Sequence, residues 1–525
     1  MGAWTAVAAA QPEPAPEPPA QPEPAPTPPT PPKDPPREEP APPPAEATRP
    51  AEPPSLDAQA QAQAKVETPP APAAVEAPAV TPAPTLGGFT FGSYGRAVAA
   101  TDFRGRPARD ADIVAHGSRL DESNYVELEL RRDDTWEKTG MSTLVVTTLA
   151  IGHPVFHYNG EFDAKIAVRN LFLEARDIGL KGLSAWAGSK MYRGDDIYLL
   201  DYWPLDNLNT LGAGVRYDAS PRTRGALHVG FLQPASGFFG QQVDRPAPLE
   251  QIGAVKVDVL SRQKVIGSAK LSHTLPLGEK AGVKGIAYGE VHQLPSGQRE
   301  GDPGVFDTLP SDGGYVIGAQ VGAFTGERNT HVNLYLRYAR GIAAYGEFFT
   351  PTQLAADRTA AGAHELVVAL GGNWETGPVG VMLGGYVRSF RNASEDLDFQ
   401  DVDEAILVAR PHVFFGELGG VALEASYQTQ QRGVLSSTTD EAGVPGAPDG
   451  PHAAGLARFG LVPFISPAGR GDYSRPQLRL IWAITLRDEG ARALYPQDDV
   501  FSLRKMEHFF GFGAEWWFNV PGYGG

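Results

Sequence analysis

The sequence predicts an all-β fold, a closed antiparallel transmembrane β-barrel of about eighteen strands preceded by a disordered Pro-rich arm. Three observations predict it. Of the 49 prolines in the 525 residues, 27 fall within the first 85, so the chain divides there. Beyond that point, segments of about ten residues alternate between apolar and polar side chains, the period of a strand whose two faces meet different media. Their connections run short, then long, then short, the rhythm of a barrel with tight turns on one side of a membrane and loops on the other.

The arm comes first. Residues 11–85 (QPEPAPEPPAQPEPAPTPPTPPKDPPREEP and onward) hold almost no large apolar side chains, so nothing offsets the entropy of ordering them. They read as a polyproline-II-biased spacer, at roughly 3.1 Å per residue up to on the order of 200 Å long. Within it, residues 55–67 (SLDAQAQAQAKVE) carry good helix formers but only Leu56 and Val66 as large apolar residues, leaving an isolated helix marginal and a short coiled coil as the alternative. Residues 1–10 (MGAWTAVAAA) resemble the Ala-rich end of a signal peptide without its basic start, and read equally well as the beginning of the arm.

The barrel region, residues 86–525, follows. Its longest apolar run, residues 142–152 (STLVVTTLAIG), is too short for a transmembrane helix and contains hydroxyls, which excludes a helical membrane protein. In YVELELR, residues 125–131, Tyr125, Glu127, Glu129 and Arg131 share one strand face while Val126, Leu128 and Leu130 share the other. Comparable segments lie at 89–99, 141–152, 163–174, 183–192, 211–217 and 226–232, with one or two more within 249–277. They continue at 281–294, 314–324, 331–341, 365–374, 379–390, 405–416, 420–430, 456–465, 477–487 and 508–518. Turns such as Thr376-Gly377-Pro378 and Glu417-Leu418-Gly419 alternate with polar loops such as 436–454. A soluble sandwich or propeller would alternate as well. Glycines inside strands, and aromatics near segment ends (Phe89, Phe91, Phe414, Phe415, Phe509, Phe510, Trp516, Trp517, Phe518), favour the membrane barrel, whose interfacial girdles need them.

Charge and missing chemistry narrow the function. The formal charge is −17, and the arm with 4 basic and 11 acidic residues leaves −10 on the barrel region, which a lumen and loops can hold and a lipid face cannot. That balance argues against a nucleic-acid partner. With no cysteine there is no disulfide, thiolate metal centre or thiol nucleophile. The sequence has no P-loop, nucleophile elbow or catalytic dyad, which argues against an enzyme and against a cofactor. His153, His157 and His412 lack metal-binding spacing. The acidic run 395–404 (EDLDFQDVDE) could gather carboxylates around calcium, but it lacks EF-hand spacing and glycine and reads as a solvated loop.

Four segments, in order, resemble the maltoporin-like carbohydrate porins, homotrimeric 18-stranded outer-membrane channels that pass sugars down a concentration gradient. Phe91-Gly92-Ser93-Tyr94-Gly95-Arg96 is similar to the family's opening F-x-G-Y-A-R. Arg119-Leu120 followed by Tyr125-Val126-Glu127-Leu128 resembles R-L then Y-A-E-L. Trp186-Ala187-Gly188-Ser189-Lys190-Met191-Tyr192, continuing through Asp196, Asp201, Tyr202, Trp203 and Asp206, resembles the W-A-G-K-R-x-Y strand and the third loop, which folds into the lumen as a constriction. Tyr473-Ser474-Arg475-Pro476-Gln477-Leu478-Arg479 resembles W-S-R-P-x-x-R. The similarity runs from residue 91 to about 518.

A sugar ring has apolar C–H faces and an equator of hydroxyls, so a channel favouring it needs aromatic planes beside charged donors and acceptors. Tyr94 shares its strand face with Arg96, and Tyr125 with Glu127 and Arg131. The resemblance implies an aromatic lane of Tyr94, Tyr125, Tyr473 and Trp517, with His331 replacing a further lane aromatic and Trp203 where the family has a tyrosine that narrows the pore. It implies polar tracks of Arg96, Arg119, Glu127, Arg169, Asp196 and Asp201. Its implied partners are sugars or oligosaccharides, outer-membrane lipid and two further copies of the chain. Without it, strand aromatics read more readily as girdle residues, and paired charges as stiffening of a wide lumen.

The sequence also departs from the family. Gly194, beside Arg193, stands where the third loop carries a track arginine, and residues 519–525 (NVPGYGG) follow the usual terminal aromatics. The tryptophan that a neighbouring subunit lends has only Phe156, Tyr158 and Phe162 as candidates. Two alternatives stand beside the sugar channel. One is a general or ion-selective porin; the other is a tether whose arm reaches the cell wall while the barrel anchors it.

Overall fold

The computed structural model describes residues 87–519, apart from 153–154, 158–159, 161, 249–250, 327–329, 352–353, 395–400 and 433–451. The expected arm with its marginal helix, Tyr158, most of the polar loop 436–454 and the first six residues of the acidic run lie outside the described residues.

The chain forms strands β1 (Gly88–Thr101), β2 (Tyr125–Trp136), β3 (Met141–Gly152), β4 (Lys165–Arg176), β5 (Leu183–Arg193), β6 (Asn207–Ser220), β7 (Thr223–Leu232), β8 (Gly240–Pro246), β9 (Ala254–Ser261), β10 (Lys264–Pro276) and β11 (Ala281–Leu294). They continue as β12 (Gly297–Glu300), β13 (Phe306–Leu309), β14 (Asp312–Thr325), β15 (His331–Gly341), β16 (His364–Thr376), β17 (Val379–Arg391), β18 (Val402–Phe415), β19 (Gly419–Arg432), β20 (His452–Ile465), β21 (Gln477–Arg487) and β22 (Met506–Phe518). Eighteen of them form one sheet. Each pairs antiparallel with the next in the chain, β7 pairs with β10 and β11 with β14, and β22 returns to β1 with Trp517 opposite Tyr94. The ring closes, so backbone groups at membrane depth find partners in the ladder.

The other four strands make two hairpins inside long connections, β8 with β9 and β12 with β13. Of the one or two strands expected within 249–277, only β10 enters the ring. The polar hairpin segments, such as GQRE at β12, give no strong alternation to read.

The two faces follow the sequence pattern. On β2, Leu128 and Leu130 lie exposed on the outside, while Glu127 and Glu129 are buried on the inside. Phe89, Phe91, Phe415 and Phe518 ring the outer wall at one end. Phe414 and Phe509 do not join that girdle: they belong to an inner cluster with Leu120, Val462 and Ile481. Period two is the reason, since consecutive residues of a strand cannot both face lipid.

At one end the strands are joined by turns of a few residues and by the longer segment 466–476; at the other, every connection spans ten residues or more. Gly88 and Phe518 lie at the turn end, the periplasmic side in barrels of this kind. Among the described residues no helix is long and apolar enough to cross a membrane.

Candidate functional site

The constriction begins as a defect in the wall. β4 pairs with β5 only where Leu171–Arg176 face Ser184–Ser189, and β6 pairs with β7 only from Leu211 onward. Residues 190–193 and 207–210 therefore pair with each other alone, and this hairpin tip leaves the plane of the barrel. Gly188 marks the departure: its φ is +129°, and a Cβ there would run into the Leu171 carbonyl. A bulge opposite Thr148 and Leu149 makes Arg169 the extra residue of β4. Side chains replace the missing ladder. Asn170 Oδ1 accepts from Met191 N at 2.8 Å, and Asn209 Nδ2 donates to the Arg169 carbonyl at 2.8 Å.

Residues 194–206 continue the hairpin into the lumen. They make one short turn, Tyr198–Leu200, closed by Asp201 in a left-handed conformation. Ile197, Leu199 and Leu205 are fully buried in a cluster that includes Tyr335, Met382 and Tyr386 of the opposite wall. Gly384 of β17 gives Ile197 its seat, since a Cβ there would come within 2.7 Å of Ile197 Cγ2. The base is tied by Lys270 to Asp206 at 2.5 Å and by an ion pair of Lys284 with Asp195.

A second connection, 102–124, also enters the barrel, which the sequence reading did not anticipate. Its backbone donates from Ile113 to Gln428 (2.9 Å), from Ala115 to Glu404 (3.1 Å) and from His116 to the Tyr386 hydroxyl (3.0 Å). The His116 ring stacks on Tyr202 with centroids 3.9 Å apart. Arg119 bonds the Tyr94 hydroxyl, pairs with Glu122 (2.9 Å) and Glu515 (3.3 Å), and lies 4.6 Å from the Tyr198 ring centre. Asp110, Asp112 and Asp121 gather close enough to share an ion. Arg458, however, reaches Asp112 at 3.1 Å and Asp121 at 2.8 Å, supplying the positive charge that a metal would bring. Burial pushes Asp112 up to about 6.

Six of the expected site residues, Tyr94, Arg96, Tyr125, Arg169, Asp201 and Trp203, line one cavity of about 540 Å³ together with His116, Arg193, Glu347 and Phe348. Tyr94 and Tyr125 have ring centres 6.0 Å apart, and the Arg96 and Arg169 guanidinium groups lie 5.8 and 5.9 Å from the Tyr125 centre. Behind them, Glu127 accepts from the Tyr125 hydroxyl at 2.5 Å and pairs with Arg169, while Arg96 meets Glu122 at 2.8 Å. Arg193 covers Trp203 at 4.0 Å from the ring centre. Burial pushes the Asp196 carboxyl up to about 7 against the pull of Arg119, and pushes Glu347 to about 7 against Asn209 N and Arg193.

The remaining aromatics continue from this group. Trp517 stands opposite Tyr94 in the β1–β22 ladder. Tyr198 lies 5.9 Å from Trp517 and 5.6 Å from Tyr473, and Tyr473 lies 6.3 Å from His331. Tyr473 belongs to segment 466–476, whose Arg475 lies 4.5 Å from the Trp517 ring centre and meets Glu515 at 2.6 Å. Tyr198 donates to the same Glu515 at 2.7 Å. The result is a file of rings, Tyr125, Tyr94, Trp517, Tyr198, Tyr473 and His331. Sequence reasoning missed Tyr198, although it lies inside the recognised third-loop segment. It also missed His116, Glu347 and Phe348, which sit in connections without periodicity. Phe162 is exposed and stacks on His157.

A closed ring of eighteen strands, apolar outside and ionic inside, with connections folded into the lumen, defines an outer-membrane porin: a channel for passive diffusion, not an enzyme. The sequence matches the LamB porin family over residues 89–518, and the chain belongs to that family, whose place is the bacterial outer membrane. No curated protein matches the sequence. Among solved structures, the chain is similar to in-vitro folded OmpT of Vibrio cholerae, a trimer form, at 11% identity and a TM-score of 0.35, over 82% of this chain and 100% of that one. It is similar to OpdK of Pseudomonas aeruginosa with vanillate at 11% identity and TM-score 0.36, over 82% and 98% of the two chains. It is also similar to OccAB1 of Acinetobacter baumannii at 10% identity and TM-score 0.39, over 82% and 96%.

Proposed function

We propose that the channel carries sugars or oligosaccharides by facilitated diffusion along the file of rings from Tyr125 to His331. The carrying observation is a pair of ring groups, Tyr125 with Tyr94 and Trp517 with Tyr198, Tyr473 and His331, set side by side where Trp517 faces Tyr94 in the β1–β22 ladder, with Arg96, Arg119, Arg169 and Glu127 within bonding reach of the first pair. Sugar C–H faces would slide over the partly open rings Tyr125, Trp517, Tyr473 and His331, which the buried rings Tyr94 and Tyr198 back, while hydroxyls exchange between fixed donors and acceptors, so neighbouring positions bind similarly and none traps the ligand. Trp203, Asp196 and Asp201 belong to the narrow part of the same path. The proposal includes a homotrimer, and an arm of residues 1–85 that acts as a periplasmic spacer able to contact the cell wall.

The test is current block in planar bilayers, with neutral oligosaccharides set against polar non-sugars of similar size. Sugars should block the parent channel, and Tyr125→Ala should weaken the block. Equal response to both ligand sets would leave a general or ion-selective porin as the better account. Removal of residues 11–85 should leave conductance unchanged while abolishing sedimentation with cell-wall preparations; unchanged sedimentation would remove the contact role of the arm.

A further inference from the structure

We propose that Phe348 and Glu347, in the connection between β15 and β16, form a sugar subsite at the loop-end mouth of the cavity, Phe348 offering the stacking plane and Glu347 the hydrogen-bonding carboxyl. The inference rests on the sugar reading above and adds a contact that lies outside the file of rings.

Stacking requires a ring face that solvent can reach. Tyr94 and Trp203 line the cavity at only 2% and 9% exposure, and Arg193 already covers Trp203. Phe348 lines the same cavity at 53% exposure. A half-open phenyl ring beside a water-filled path is an apolar surface for which a sugar's C–H face is a fitting cover.

The segment that presents this ring is held. It begins with the short turn Ile342–Tyr345, all four residues buried against the barrel mouth. Lys264 Nζ donates to the Gly346 carbonyl at 2.6 Å. Glu347 Oε2 accepts from Asn209 N at 2.7 Å, on the edge of β6 that β7 leaves unpaired. Phe348 therefore follows two anchored residues, and a ring so presented loses little freedom on binding. Oε2 of Glu347 is taken by Asn209, and Oε1 is the atom for a ligand hydroxyl. The ligand class is a neutral pyranose at the end of an oligosaccharide, with a C–H face for Phe348 and an equatorial hydroxyl for Glu347.

The test uses the full-length channel in planar bilayers, with maltotriose and cellotriose added separately from each side. Phe348→Ala should lower the blocking on-rate from the loop end about threefold to tenfold, the worth of an aromatic contact, and leave the on-rate from the turn end unchanged. Phe348→Leu should behave like the alanine variant and Phe348→Trp like the parent, because the plane is what counts. Leucine behaving like the parent would overturn stacking in favour of simple bulk. Tyr125→Ala separates the two readings. If it weakens block while Phe348→Ala matches the parent from both sides, the subsite is wrong and the sugar channel stands; if the parent is not blocked at all, the sugar reading fails first.

Discussion

His116 and Tyr202 stack face to face, centroids 3.9 Å apart and planes 18° apart, joining connection 102–124 to connection 194–206 inside the barrel. The edge of Tyr386 closes on the same imidazole at 5.8 Å, and the Tyr386 hydroxyl, which receives His116 N, donates to Glu404. The two inward-folded segments thus hold each other against the wall at Tyr386. The pairing could not be foreseen from either segment, because the residues are far apart in the chain and lie in different irregular connections.

His116→Ala should therefore unlatch the pair, giving higher single-channel conductance and added open-channel noise, while His116→Phe retains a stacking ring and the parent behaviour. Burial, then Arg388, lowers the imidazole to about 4, against the opposing pull of Glu365 and Asp201. A depressed value means the latched state holds the ring neutral. Latching is complete above the ordinary value of 6.5 and is lost progressively as pH falls towards 4. Parent channels should grow noisier over that interval and His116→Phe channels should not. Identical acid response in both would show that His116 is not the titrating latch.

Ion selectivity should titrate near neutrality, in the sense set by two carboxyls. Asp196 and Glu347 are both raised to about 7, chiefly by burial, so they are charged above that pH and neutral below it. Lowering pH from about 8 to about 6 removes up to two negative charges beside the path, and cation preference should fall. The reversal potential across a potassium chloride gradient measures it. Asp196→Asn with Glu347→Gln should flatten the pH dependence; a profile as steep as the parent's would assign the titration elsewhere.

Gly384 tests how the third loop is seated. A valine there would meet Ile197 Cγ2 and Val408 Cγ1, and its backbone cannot yield because β17 is paired on both sides. Overpacking of this kind costs about 1–3 kcal/mol, less than a closed barrel can absorb but enough to lift residues 194–206 from the wall. Gly384→Val should keep the heat-resistant mobility of a folded barrel on gels while becoming sensitive to protease within 194–206. Leu383→Val, on the lipid face, is the control and should change neither property.

The strands were legible because each one separates lipid from lumen along its whole length. Residues 281–294, 331–341 and 477–487 coincide with β11, β15 and β21, whose outward residues such as Val291, Leu334 and Leu480 keep the alternation visible although Tyr288, Tyr335 and Ile481 are buried in clusters on the inward face. Adjacency across strands was partly legible: Tyr94 and Arg96 share a face by period two, but the meeting of Arg96 with Tyr125 depends on the β1–β2 register. The inward course of 102–124 was not legible. Its contacts to Glu404, Gln428 and Arg458 cross some three hundred residues, and the large apolar residues Ile113, Val114 and Leu120 among many charges gave the one hint that part of it is buried. The girdle reading failed at Phe414 and Phe509 because composition near a strand end does not reveal which face a residue takes.

Trp203 separates two ways in which a bulky residue can shape a pore. It lines the cavity, yet it is only 9% exposed and its face lies under Arg193, whose Nε bonds Asn207 Oδ1 at 2.6 Å across the neck of the hairpin. With Arg193 only partly buried, a cation–π contact of this kind contributes about 0.5–1 kcal/mol, so the indole holds the neck as well as filling space. Trp203→Ala should raise ion conductance by removing bulk, and should add noise because Arg193 loses the surface that orients it. Sugar block should weaken less than in Tyr125→Ala, since little of the indole faces the path in the free channel. Trp203→Phe preserves a ring for Arg193 and should restore quiet currents at intermediate conductance. The opposite pattern, steady current with block abolished in Trp203→Ala, would make the indole a direct sugar platform and would require Arg193 to swing aside when the ligand arrives.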